Sequence, residues 1–90
     1  MSSAQIIQPF VIRYEVNNVL IGTINGINVT FQTPYKFIPG SISVYVNGLK
    51  MMPGIGNDFV EDNSTNDKVI LASAPLSGDI LLADYRRLLP

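Results

Sequence analysis

The fold this 90-residue sequence predicts is all-β: a small antiparallel β-sandwich or barrel of about seven short strands with an extended N-terminal arm. Three observations carry that expectation. Apolar residues recur with a period of two, the signature of strands with one buried face. Two Asn-Gly dipeptides sit between apolar runs, and both central residues of a type I′ hairpin turn need a positive φ, which Asn and Gly adopt most readily. No segment carries a 3.6-residue apolar stripe of helical length, so helix content is expected to be minimal.

Residues 1–9 are poor in turn residues and read as the arm, and Ile6, Ile7, Phe10 and Ile12 are too apolar for a solvated tail. Pro9 has no N–H for a central ladder, which places this segment on an edge or outside the sandwich. A single domain is expected over residues 10–90, since a chain this short has room for one core. In its first strand Phe10, Ile12, Tyr14 and Val16 alternate with Val11, Arg13 and Glu15. A hairpin is expected at Asn25-Gly26, between Val19–Ile24 and Ile27–Thr33, with Ile27, Val29 and Phe31 sharing a face. Ile42, Val44 and Val46 alternate with Ser41, Ser43 and Tyr45, and Asn47-Gly48 turns that strand back through Leu49–Met52. Pro39-Gly40, Pro53-Gly54 and Ser77-Gly78-Asp79 mark further reversals, and Ser64–Asp67 is a polar loop before the strand Lys68–Ala72. In the last strand Ile80 and Leu82 share one face, with Leu81, Ala83 and Tyr85 opposite.

Charged residues make up only 14% of the chain, against about 25% in ordinary globular domains. A surface so poor in charge suits a protein that keeps part of itself covered. The chain has no Cys and no His, so disulfides and imidazole or thiolate metal sites are unavailable to support a small core. Burial against a partner is the remaining support, and self-association or docking on a larger assembly is expected. The net charge of −1 leaves no basic stripe to neutralise phosphates, so nucleic acid is not an expected partner, and Arg86-Arg87 reads as a strand end. No apolar run reaches the roughly 18 residues of a membrane span. Met1-Ser2-Ser3-Ala4 lacks the basic n-region of a secretory signal, so synthesis in a cytoplasm is expected.

Without His or Cys the common general base and nucleophile–base pairs are missing, so neither enzymatic activity nor a cofactor is expected. Asp58, Glu61, Asp62, Asn63, Asn66 and Asp67 crowd one region, but their spacing does not match a calcium-binding EF-hand loop, and a solvated loop without metal is expected. The candidate residues are instead those of a protein interface. Tyr45 and Tyr85 fall opposite the aliphatic face of their own strands, with rings and polar tips suited to contact surfaces. Met51 and Met52 follow the Asn47-Gly48 turn, where an adaptable thioether can meet a partner. Ile6, Ile7 and Phe10 at one end, and Leu88 and Leu89 at the other, are apolar segments in need of a docking place.

One running pattern remains: Asn25-Gly26, Thr30-Phe31-Gln32-Thr33-Pro34-Tyr35, Phe37-Ile38-Pro39-Gly40-Ser41-Ile42, Val44-Tyr45-Val46-Asn47-Gly48-Leu49, Asp58-Phe59, Ala74-Pro75, Gly78-Asp79 and Asp84-Tyr85-Arg86. It resembles a β-sandwich module of tailed-phage virion proteins, among them capsid decoration (cement), head-fibre and tail-fibre proteins, over roughly residues 24–87. The resemblance implies a non-enzymatic homo-oligomer, a trimer ahead of a dimer, that binds other virion proteins or a host surface. Fibres carry the module inside longer chains, whereas a free module with an apolar arm fits a decoration protein on the capsid exterior, bound to the major capsid protein. A tail-fibre, baseplate or host-adhesion component is the alternative. A carbohydrate-binding module is a second one, weakened by the absence of Trp.

The second Asn-Gly turn generates a direct test. Gly48→Val places a β-branched residue where a positive φ is expected, so it should lower the unfolding free energy by about 1–3 kcal/mol in denaturant titration. An unchanged midpoint would mean that this turn is not of the primed type.

Overall fold

The alternation of apolar and polar residues resolves into seven strands in the computed structural model, which describes residues 11–89 and the side chains of residues 12–88. These are β1 (Val11–Val19), β2 (Thr30–Gln32), β3 (Ser43–Val46), β4 (Leu49–Lys50), β5 (Phe59–Asp62), β6 (Lys68–Leu71) and β7 (Leu81–Leu89). All pairings between these strands are antiparallel. One sheet has the order β1-β7-β3-β4 and the other β2-β6-β5, so the expected all-β sandwich is the observed fold. The chain crosses from one sheet to the other directly after β1: the Leu20 N–H donates to Leu81 O, and Ile21 exchanges two backbone hydrogen bonds with Gln32.

Between the sheets lie Phe31 of β2, Val44 of β3, Phe59 of β5, Val69 and Leu71 of β6, and Leu81, Ala83 and Tyr85 of β7. Leu20, Phe37 and Ile42 complete this core from the connections. Thr33 is buried among them without cost, because its hydroxyl donates to the Tyr35 carbonyl at 2.5 Å and its N–H to the Asp67 carbonyl at 2.8 Å.

The two Asn-Gly dipeptides part company. Asn47 (φ 51°) and Gly48 (φ 84°) both occupy the left-handed region and close a tight β3–β4 hairpin with Val46 opposite Leu49. Asn25-Gly26 makes no hairpin. The Asn25 side chain accepts from the Ile27 and Asn28 N–H groups at 2.9 Å each, a local turn that takes donors a strand ladder would need. Ile27 is consequently 81% exposed, and β2 starts only at Thr30.

β1 carries a bulge. Glu15 pairs with Tyr85 and Asn18 with Ala83, so Val16 and Asn17 together stand opposite Asp84. Asn17 takes φ 55° and donates its N–H to Asp84 Oδ1 at 2.8 Å. The extra residue resets the pleat, which turns Glu15 and Asn18 to the same side of the sheet. Asn18 there meets Tyr85, whose hydroxyl donates to Asn18 Oδ1 at 2.6 Å and accepts the Tyr35 N–H at 3.3 Å. The Tyr85 ring packs edge-on against Phe37 with centroids 6.3 Å apart. Tyr85 is thus a core residue, which corrects its assignment to the surface. Leu81 and Ala83 share its face and are buried, while Ile80 is exposed. Met51 also turns inward, half-buried against the core, whereas Met52 is exposed.

Burial pushes the Tyr85 phenol above its ordinary value. The folded chain then holds this proton more tightly than the unfolded chain, so the associated stability is present below about pH 10 and is lost as the pH rises further. Tyr85→Phe removes the hydroxyl shared by Asn18 and Tyr35 and should cost about 1–2 kcal/mol at neutral pH. Urea unfolding at neutral and alkaline pH should also show the variant losing less stability than the parent on alkalinisation. Equal losses in both would contradict the buried phenol.

Candidate functional site

The burial of Leu81, Ala83 and Tyr85 fixes the outward direction for the rest of their sheet, since neighbours along a strand alternate and paired residues share a face. Leu82, Asp84, Arg86 and Leu88 therefore point away from the core. Strand register extends this outer face sideways. Val19, Leu82, Tyr45 and Lys50 form one row across all four strands, and Tyr14–Arg86 and Ile12–Leu88 form two shorter ones. Tyr14 is 71% and Val19 66% exposed, with Ile12 and Leu88 also open to solvent. These large apolar side chains share the face with Lys50, Asp84 and Arg86, which makes it the candidate contact surface of the sheet.

The alternation expected in β1 is present, but its apolar side is the outer one. On the core side the ribbon presents Arg13 and Glu15. Arg87 Nε donates to Glu15 Oε2 at 2.6 Å, with both side chains only 16% exposed. The Arg87 guanidinium also lies 3.7 Å from the centre of the Tyr35 ring, a cation–π contact that shields the pair from water. β3 accompanies β7 only as far as Asp84, so this Glu15–Arg87–Tyr35 cluster supports the stretch of β1–β7 ribbon beyond it. That support leaves Ile12, Tyr14 and Leu88 free to stay outside.

The expected interface residues thus separate. Tyr45 and Leu88 join the outer face, while Met52 is exposed next to the β3–β4 hairpin. Tyr85 belongs to the core and Met51 partly so. Ile6, Ile7 and Phe10, with the whole arm, lie outside the described residues, as does the Leu89 side chain. Ile12 and Tyr14 join the face as well, and Val19 and Leu82 are members of it that sequence reading did not single out. The shared period of Ile12 and Tyr14 was visible in the sequence, but the bulge that brings Val19 onto their side was not.

Apart from Glu15 in its ion pair and Asp84 at the bulge, the carboxylates serve turns. A cleft of about 270 Å³ opens beside the β3–β4 hairpin, walled by Val46, Leu49, Met51, Leu71 and Pro75 and bordered by Asp58 and Asp79. Asp58 accepts the Met52 N–H at 2.8 Å. Asp79 accepts from Asn47 Nδ2 at 3.0 Å and from the Leu76 N–H at 2.9 Å, and Asn47 Oδ1 accepts the Ile80 N–H in return. The Asn47 amide, followed by the Leu76 N–H, holds the Asp79 carboxyl below its usual range. The Ser64 hydroxyl does the same for Asp62, and the Thr65 hydroxyl for Asp67. Among the described residues no three acidic groups come together in a way that could hold a metal ion. No family model, curated protein or solved structure matches the chain.

A lowered Asp79 pKa means that its contribution to stability is present above about pH 4 and is lost as the pH falls through the folded value. Asp79→Asn removes that titration. Thermal unfolding from neutral pH to pH 3 should therefore show a smaller loss in the variant than in the parent, and parallel losses would contradict a role for the carboxylate in clamping the hairpin.

Proposed function

We propose that this chain is a non-enzymatic structural protein that works by docking the outer face of its four-stranded sheet on other protein subunits. The observation that carries the reading is the outer face on which Ile12, Tyr14, Val19 and Leu88 stand exposed beside half-buried Leu82 and Tyr45. Turn-bound carboxylates and the absence of His and Cys from the sequence agree with it, since they leave no assembled acid–base or nucleophile pair among the described residues.

The specific form we propose is a decoration protein on the exterior of a tailed-phage capsid, bound to the major capsid protein. Support for that form is the turn-and-core pattern in the sequence, together with the low charge content. A decoration protein needs no single strong site, because many copies on a repeating shell multiply modest contacts.

Co-sedimentation with capsid shells of the phage that encodes the chain tests both levels. The parent protein should pellet with the shells. Val19→Lys, which adds charge at an exposed position outside the core, should weaken binding about tenfold, or about 1.4 kcal/mol. A parent protein that stays in the supernatant contradicts the decoration role. Equal binding by parent and variant contradicts the docking face.

A further inference from the structure

β1 ends its sheet, and among the described residues no strand covers its second edge. A row of unpaired N–H and C=O groups on such an edge is a template for another strand. We propose that β1 pairs antiparallel with β1 of a second copy of this chain, about a two-fold axis that passes beside Tyr14. The inference deepens the docking reading by naming one partner, and it rests on that reading only in treating the outer face as covered in the assembly.

Charge complementarity selects both the occupant and the register. A two-fold axis perpendicular to a sheet places one residue opposite its own copy and keeps each side chain on its own face. Centred on Tyr14, it sets Arg13 opposite Glu15 of the second copy and Glu15 opposite its Arg13. Ile12 then meets Val16 of the second copy, and the reverse. Every cross-strand pair is apolar with apolar or acid with base, the combinations that stabilise antiparallel pairs. Moving the axis to Arg13 sets two arginines opposite each other, and moving it to Glu15 does the same with two glutamates. Like charges directly opposite are destabilising. The Arg-Tyr-Glu order is thus self-complementary in one of these three registers.

The structure leaves these groups available. Arg13 is exposed and has no salt-bridge partner among the described residues. Arg87 Nε donates to Glu15 Oε2, and Oε1 has no donor among the described residues, so it can take a second guanidinium. Arg13 also discourages unrelated strands from adding to this edge, while the second copy supplies the answering carboxylate. The bulge at Val16 and Asn17 ends the ladder, confining it to the stretch from Ile12 to Val16. The product is a continuous sheet with the order β4-β3-β7-β1-β1-β7-β3-β4, in which the Ile12, Tyr14 and Leu88 patches of the two copies become one. A closed two-fold pair takes the place of the trimer expected from the sequence.

Cysteine cross-linking reads the register directly, because the chain has no cysteine of its own. Directly opposed Cα atoms in an antiparallel pair lie about 4.5–5.5 Å apart, within disulfide range. Under mild oxidation at micromolar concentration, Tyr14→Cys should give a disulfide-linked dimer about tenfold faster than Ile55→Cys, a 96% exposed position remote from β1. Ile12→Cys alone should react no faster than that control, and mixing it with Val16→Cys should restore fast cross-linking. Adding Arg13→Glu to Tyr14→Cys should bring the rate down to the control, with circular dichroism showing an intact sandwich. Overturning results are Tyr14→Cys reacting at the control rate, or Ile12→Cys linking to itself equally fast. If cross-linking fails while Val19→Lys still weakens shell binding, the self-pairing falls and the docking reading stands.

Discussion

Asn17 in the left-handed region, its N–H held by the Asp84 carboxylate, puts two residues of β1 opposite one of β7. That single extra residue decides which side chains meet the core. Without it, the run from Ile12 to Val19 would keep strict alternation, and Val19 would face inward wherever Tyr14 faced outward. With it, Tyr14 and Val19 lie on one face, and Asn18 swings under the sheet to accept the Tyr85 hydroxyl. Tyr85 in turn links β1, β7 and the Tyr35 backbone around the Phe37 ring. The core at this end and the outer apolar face are two consequences of one local departure from regular pairing.

The same departure separates the ribbon into two mechanical parts. From Leu81 to Asp84, β7 is flanked by β3 on one side and β1 on the other, and its inward residues are fully covered. Past Asp84 it continues with β1 alone, and the core side is closed by the Glu15–Arg87 pair under Tyr35 rather than by aliphatic packing. An ion pair this covered has lost much of its hydration, and its attraction must offset that loss. Two further contacts hold the segment in place: the Ile38 N–H donates to the Arg86 carbonyl, and the Arg86 N–H donates to the Ser41 hydroxyl. A ribbon stiffened from the inside can present apolar side chains outward without collapsing onto its own sandwich.

Much of this fold was legible in the sequence, and the parts that were not share a cause. Asn47-Gly48 announced its hairpin because the requirement for positive φ is local to two residues. Asn25-Gly26 has the same letters, but Asn28 follows at a distance where its N–H bonds the Asn25 side chain, and the turn chemistry consumed the hairpin. Alternation found both faces of β7 correctly. It could not say which was inward, because Ile80 and Leu82 are as apolar as Leu81 and Ala83. Tyr85 was misplaced for that reason. The candidate face was less visible still: Tyr45 and Leu88 were found by strand parity and chain position, whereas Val19 needed the bulge and Leu82 needed the direction of the core. Glu15 and Arg87 lie 72 residues apart, and pairing at that distance leaves no local signal.

The central claim is that the outer face of β1, and the edge that no strand covers among the described residues, are an association surface and not a solvated one. Amide hydrogen exchange of the full chain, measured at low and at high protein concentration, tests it most directly. Exchange at residues 12–16 should slow as concentration rises, while the β4 edge at the far side of the same sheet stays unchanged. Exchange at β1 that is independent of concentration, in a protein that remains a monomer throughout, would contradict the account.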